Sequence, residues 1–203
     1  MGDSGLMSKA RTTGLRERKK AQTRRTIQEH ALRLFLEKGY EATTVREIAA
    51  AAGVSHMTFF RYFPTKEDVV LSDDYDPMLA EIIASRPAAE PAIVSLRRAI
   101  GEGFRAIYGV DREALLARTR LIVSTPALRA RLWEQQIATE HLITAAVAAR
   151  QGGDGGFRTR LIAAACLAAI GVATVAWVEN DGEPPLPDLM DEALAMLGEG
   201  LNQ

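Results

Sequence analysis

A chain of 203 residues with 47% hydrophobic and 25% charged side chains has enough apolar mass for a folded core and is not disordered. Its single cysteine, Cys166, excludes an internal disulfide framework, and with no CxxC or His/Cys cluster no zinc site is proposed. The net charge of −1 hides a division: residues 1–66 hold 13 basic and 6 acidic residues, a net of +7, and residues 67–203 hold 12 and 20, a net of −8. A basic head on an acidic body fits either a head that meets a polyanion or a merely solvated basic tail, and charge alone does not separate the two.

Residues 1–15 are polar and bear glycine, without the apolar stretch of a secretory leader, and read as a disordered basic arm. A helical pattern begins at Arg16, with Ile27, Ala31, Leu34 and Phe35 on one face and Gly39 as its stop. Thr43 and Thr44 precede a short second helix, and Glu47 stands three residues after Thr44 at capping-box spacing. Gly53 breaks that helix, Ser55 caps a third running to about Tyr62, and Pro64 ends it. A fourth helix is expected from about Thr65 to Ile83, with Val69, Val70, Leu71, Tyr75, Met78 and Leu79 among its apolar members and a kink or break at Asp76-Pro77. Residues 84–91 read as a linker. Further helices are predicted over a segment marked by Ile93, Leu96, Ile100, Phe104 and Ile107, then over about 112–123, from Pro126 to about Arg150, over 157–179 and over 186–201, with a glycine loop at 152–156. No strand and no internal repeat is expected.

The run Leu161–Val178 is 18 residues long with Thr174 as its one clearly polar member, which meets the length of a membrane span. Eight of those residues are alanine or glycine, which gain little from lipid, and the run has neither an aromatic belt nor a one-sided basic flank. A helix buried on most of its faces explains the run better, so no membrane partner and a cytoplasmic location are expected.

Residues 45–63, VREIAAAAGVSHMTFFRYF, have the pattern of a helix-turn-helix. Ala49 is small where two helices touch, Gly53 tolerates a left-handed turn, and Ile48, Val54, Phe59 and Phe63 pin both helices to a third. Residues 24–70, including LFLEKGYEATTVREIA and AAGVSHMTFFRYFPTKEDVV, resemble the head of the TetR family of transcriptional regulators. Phe60 stands where that family often has tyrosine, and Tyr62 where it often has histidine or tyrosine.

The resemblance implies that the third helix enters the major groove of double-stranded operator DNA. Ser55, His56, Met57, Thr58, Phe60 and Tyr62 would then face DNA, with His56 and Thr58 as base readers, while Phe59 and Phe63 face the core. Thr44 and Arg46 would meet phosphate or a base edge, Lys66 a phosphate, and Arg16, Arg18, Lys19, Lys20 and Arg24 would add salt-sensitive backbone contacts.

For the rest of the chain the resemblance implies a ligand cavity and a homodimer through the last two helices. The small rows Ala164/Ala168, Ala165/Ala169 and Ala169/Ala173 support close helix approach, and a helix apolar on nearly every side needs partners on both flanks. Met78, Phe104, Tyr108, Trp133, His141 and Trp177 are candidate ligand-lining residues, each also readable as core. RTRLIVSTPALRARLWEQQ, residues 118–136, resembles a body subtype of actinobacterial regulators that sense acyl-CoA-like or fatty molecules. Arg118, Arg120, Arg129 or Arg131 would then face an anionic head group, and otherwise they are surface arginines.

The expected architecture is all-α: an arm (1–15), a three-helix helix-turn-helix head (16–66) and a helical ligand-binding and dimerisation body (67–203). The expected function is a repressor released by a small lipophilic or acyl-CoA-like effector. No catalytic triad, paired carboxylates, phosphate loop or metal set argues for an enzyme, and no cofactor is expected. An architectural protein with a merely solvated basic head is the competing class.

Overall fold

The computed structural model describes residues 4–72, 75–109 and 111–201, with side chains described from residue 16 onward apart from 17, 75–77, 106, 107 and 201. The side chains of Tyr75, Asp76, Pro77 and Ile107, named above, therefore lie outside the described residues. Every regular element among those described is an α-helix, and the chain divides after Ser72 into two compact units.

The first unit holds α1 (Ser4–Lys38), α2 (Val45–Ala51), α3 (His56–Tyr62) and α4 (Lys66–Leu71). Ile27, Ala31, Leu34 and Phe35 of α1, together with Ile48, Ala49, Phe59, Phe63, Val69, Val70 and Leu71, are buried. Each large side chain among them contributes about 1.5–3 kcal/mol by leaving water. Gly53 makes the turn at φ +67°, where a Cβ would meet no neighbour, so the backbone angle rather than space requires glycine.

Two features of this unit differ from the sequence reading. The first helix begins at Ser4, taking in residues 4–15, which carry no proline and hold six good helix formers, Leu6, Met7, Lys9, Ala10, Arg11 and Leu15, among their twelve residues. The fourth helix is two helices, α4 and α5 (Tyr75–Ser85), and the break falls at Ser72, whose extended backbone (φ −73°, ψ 129°) ends α4. The backbone at Pro77 is helical in the first turn of α5, where a missing N–H costs no hydrogen bond. Hence α4 falls in the first unit, beyond the boundary at residue 66 expected from sequence.

The second unit contains α5, α6 (Ala92–Tyr108), α7 (Arg112–Ser124), α8 (Pro126–Gln151), α9 (Phe157–Glu179) and α10 (Leu186–Leu201). Leu79 and Ile83, Leu96 and Ile100, Ile143 and Val147, Ala163, Cys166 and Trp177, and Leu186, Met190 and Leu194 meet in one core. Burial pushes the Cys166 thiol up to about 12, so it is packing rather than a nucleophile. The α9–α10 connection is fastened to α7: Arg112 donates to the Gly182 carbonyl and pairs with Glu183, and Arg120 pairs with Asp181. Gly182 takes φ +87°, a backbone angle that strains any other residue, and a Cβ there would stand 2.9 Å from Leu116 Cδ2, which would have to shift.

Candidate nucleic-acid interface

The two helices of the turn motif are both started by side chains. Thr44 Oγ1 accepts the Glu47 N–H at 3.2 Å, and Glu47 Oε2 accepts the Thr44 N–H at 2.9 Å. The Lys38 ammonium, 2.7 Å from Glu47, and the two Thr44 donors hold the Glu47 carboxyl down at about 2. At α3, Ser55 Oγ accepts the Thr58 N–H at 3.1 Å. Each such cap contributes about 1 kcal/mol.

These caps set the orientation of α3. Phe59 and Phe63 are fully buried and pack against one another with their rings tilted, centroids 5.8 Å apart. Ser55, His56, Met57, Phe60 and Arg61 are exposed on the other side, Met57 at 84%. Thr58 and Tyr62 are half-buried, and Thr44 and Arg46 are exposed at the start of α2. The structure thus brings Ser55, His56, Met57, Thr58, Phe60 and Tyr62 onto one short helix, with Thr44 and Arg46 beginning its companion. The ring of His56 meets the edge of Phe60 at 4.8 Å, and the hydroxyls of Ser55 and Thr58 share a 2.9 Å hydrogen bond.

Lys66 stands differently from the sequence expectation. Its ammonium donates to the carbonyls of Tyr40 (2.7 Å) and Thr43 (3.1 Å) and lies 4.0 Å from the centre of the Tyr40 ring. It clamps the α1–α2 loop and leaves at most one N–H for a phosphate. The Tyr40 hydroxyl donates to Glu67 at 2.7 Å, and burial followed by that bond drives the phenol well above its ordinary range.

Gln28 Nε2 donates to the Ser72 carbonyl at 2.8 Å, tying α1 to the end of α4. Arg24, expected at a phosphate, lies over the Phe63 ring at 4.7 Å and reaches the Tyr62 carbonyl at the end of α3. Sequence reasoning missed Tyr40, Glu67 and Gln28. The signal available for Tyr40 was an aromatic directly after the glycine that stops α1.

In the second unit the candidate ligand residues separate. Phe104, Tyr108 and Trp177 pack into or against the core, with the rings of Tyr108 and Trp177 6.1 Å apart. The Tyr108 hydroxyl and Trp177 Nε1 are buried with no hydrogen-bond partner among the described residues. Met78 is half-buried on α5 and His141 is exposed.

Trp133, 71% exposed, lines a surface groove of about 770 Å³ between α8 and α9 with Ile137, Ala168, Val172 and Val175. Helix α9 buries Ala163, Cys166, Ala173 and Trp177 on one side only, leaving Phe157, Leu161 and Val172 exposed opposite. One chain therefore covers one flank of this apolar helix, not most of its faces. Of the four arginines weighed above, Arg120 and Arg131 pair with the chain's own Asp181 and Glu134.

Comparison with known proteins agrees with this geometry. Residues 27–72 match the family model described as bacterial regulatory proteins, tetR family, and residues 90–202 match that of the MftR C-terminal domain. The chain is 36% identical over 177 residues to the HTH-type transcriptional regulator TcmR of Streptomyces glaucescens, covering 81% of this chain and 76% of that one.

Among solved structures, the transcriptional regulator FadR of Bacillus subtilis, in complex with stearoyl-CoA, superimposes with a TM-score of 0.57 at 24% identity. That match covers 85% of this chain and 96% of the other. The FadR repressor of Thermus thermophilus, in complex with lauroyl-CoA, gives 0.54 at 24% identity, covering 87% and 94%. Both show a shared fold.

Proposed function

This chain belongs to the TetR family of bacterial transcriptional regulators, and from that premise we propose that it is a homodimeric repressor released by a small lipophilic or acyl-CoA-like effector. The observation that carries the DNA-binding part is α3 itself: a capped helix whose aromatic side is locked into the core and whose other side offers Ser55, His56, Met57 and Thr58 to solvent. His56 and Thr58 read base edges, Arg46 meets phosphate, and Phe60 and Met57 supply apolar contact to a thymine methyl. Lys66 acts mainly by holding the loop before α2.

The open flank of α9 supports the homodimer. Trp133 and Ile137 of α8 and the Ala168–Val172 stretch of α9 form an apolar surface that a second copy, related by a twofold axis, covers with the same residues. Pairing also supplies two recognition helices for two half-sites.

The effector reading rests on two polar atoms. A buried hydroxyl and a buried indole N–H without partners each cost free energy, and a ligand accepting from both restores the loss. The likeness to the two FadR structures, each holding a long-chain acyl-CoA, supports an acyl chain as the apolar part of that ligand. Derepression follows where the effector prefers a state of the second unit in which α5 is displaced. A tenfold fall in operator affinity needs about 1.4 kcal/mol of differential binding.

The experiment is selection of operators from random duplexes by the full-length chain, followed by titration with acyl-CoA esters of increasing length. Enrichment of a twofold-symmetric sequence, lost in His56→Ala and relieved by one of the esters, is expected. Enrichment of nothing above scrambled DNA would overturn the DNA reading. A thioester that raises the melting temperature yet leaves operator affinity unchanged would overturn the coupling.

A further inference from the structure

Arg150 is the one buried arginine among the described residues, 9% exposed. It continues the row Ile143, Val147, Arg150, spaced four and three apart on the side of α8 that faces the core of the second unit. A guanidinium keeps its charge inside a protein and offers five N–H donors. Here Nη1 donates to the Pro87 carbonyl at 2.5 Å, while Nε and Nη2 are buried with no hydrogen-bond partner among the described residues. Arg150 lies in the last turn of α8, and a helix C-terminus favours a cation. That accounts for the sign of the charge but supplies no acceptor to those two nitrogens.

Nε and Nη2 form one edge of the planar guanidinium, an edge that grips a carboxylate through two parallel bonds. The chain uses the same edge twice elsewhere. Arg86 meets both oxygens of Glu90, at 2.5 Å from Nε and 2.9 Å from Nη2, and Arg97 meets both of Asp191, at 2.8 and 2.7 Å. Those two arginines are only half-buried, so water could serve them, yet each has its carboxylate. Glu90, the acid nearest Pro87 in the chain, donates its own N–H to the Pro87 carbonyl, but its oxygens are taken by Arg86 and Arg98. Just past Arg150 the exposed Gly152 and Gly153 have no neighbour within 4 Å of where a Cβ would stand, which leaves that end of α8 loosely covered.

We propose that Arg150 is an anion anchor: its Nε/Nη2 edge seats a group with two oxygens on one centre, the carboxylate of a free acid or a phosphate of an ester, borne by a molecule whose apolar part enters the core beside Ile143 and Val147. This deepens the effector reading above and rests on it for the link to DNA. Pro87 lies two residues past the end of α5, and its carbonyl is what Arg150 holds. An anion that draws the guanidinium toward itself competes with that carbonyl and so loosens the tie between α8 and the end of α5.

The test titrates dodecanoate, its methyl ester and lauroyl-CoA into the full-length wild type, Arg150→Lys and Arg150→Met, with dissociation constants read by calorimetry. An anion seated on the fork should be bound about tenfold or more tighter than its uncharged analogue. Arg150→Lys keeps the charge and loses the fork, and is expected to weaken the anion about tenfold. Arg150→Met is expected to bind acid and methyl ester alike while holding the ester as the wild type does, a pattern that mere loss of structure would not produce. Dependence on Arg150 for dodecanoate assigns the anion to a carboxylate, and for lauroyl-CoA alone to a phosphate. Absence of binding by all three, affinities for dodecanoate and lauroyl-CoA that ignore both substitutions, or a preference for dodecanoate over its ester that survives in Arg150→Met would overturn the proposal. An anion bound through Arg150 that leaves operator affinity unchanged would keep the site and break the effector reading instead.

Discussion

The two units satisfy their polar groups and cover their apolar surface in opposite ways. In the first, the starts of α2, α3 and α4 are each capped by the threonine or serine before them, the Lys66 ammonium finds two carbonyls, and every large side chain of the inner faces is buried. In the second, α9 begins at Gly156 with no side-chain cap, Val172 is 70% exposed, and the Tyr108 hydroxyl and Trp177 indole nitrogen are buried without partners among the described residues. A unit that closes on itself leaves its exposed residues for a partner. A unit that leaves apolar area open and buried donors idle invites other molecules, in the proposed function a second copy and an effector.

The contrast is broken most forcefully at the α8–α9 groove. Ala168→Glu places a carboxylate on the surface that a second copy is proposed to cover, where a buried unpaired charge costs several kcal/mol. The dimer dissociation constant is expected to rise by more than a hundredfold in sedimentation equilibrium, with circular dichroism unchanged. An unaltered constant would place the seam elsewhere.

Lys66→Met probes the closed unit. Losing two bonds from a charged donor is expected to cost about 2 kcal/mol of stability, read as a lower urea midpoint. The salt slope of DNA binding should stay the same. A shallower slope at undiminished stability would return Lys66 to the phosphate contact expected from sequence.

Tyr108→Phe sharpens the other side of the comparison. Removing a buried hydroxyl that has no partner is expected to leave the free protein as stable as before or up to about 1 kcal/mol more so, while weakening effector binding. A loss of stability without a change in effector affinity would assign the hydroxyl to structure.

The smallest effect is expected on acidification. The Glu47 carboxyl sits at about 2 in the folded head against an ordinary value of 4.5, so its contribution is complete above about pH 4.5 and fades as pH falls toward 2. Glu47→Gln should flatten the acid limb of the head's unfolding curve. A parallel limb would remove the Lys38–Glu47–Thr44 cluster from the account.

What the sequence disclosed depended on whether one short stretch sufficed to decide it. The three-residue spacing of Thr44 and Glu47 gave the capping box, Gly53 gave the turn, and Phe59 with Phe63 gave the inner face of α3, all local signals. Helices α9 and α10 were equally plain, bounded by glycines at one end and by the Pro184-Pro185 turn between them.

The start of α1 was not legible, because residues 4–15 lack the apolar periodicity that marks a packed helix. Nor was the break at Ser72, since Val69, Val70 and Leu71 and then Met78, Leu79 and Ile83 keep helical character on both sides of it. Spacing put Lys66 at a helix start without saying that Tyr40 and Thr43 would stand on the side its ammonium takes. Trp133 and Trp177 look alike as large apolar residues on long helices, yet one is 71% exposed and the other fully buried, a difference that only packing decides.

The central claim is that the second unit is complete only as a pair and that the pair is what holds DNA. Sedimentation velocity of the wild-type chain at micromolar concentration, alone and with its selected operator, tests it directly. The 22.1 kDa chain should sediment as a species of about 44 kDa, twice its own mass, and bind operator with two chains or a multiple of two per duplex. A 22.1 kDa monomer that binds operator one to one with undiminished affinity would contradict the account.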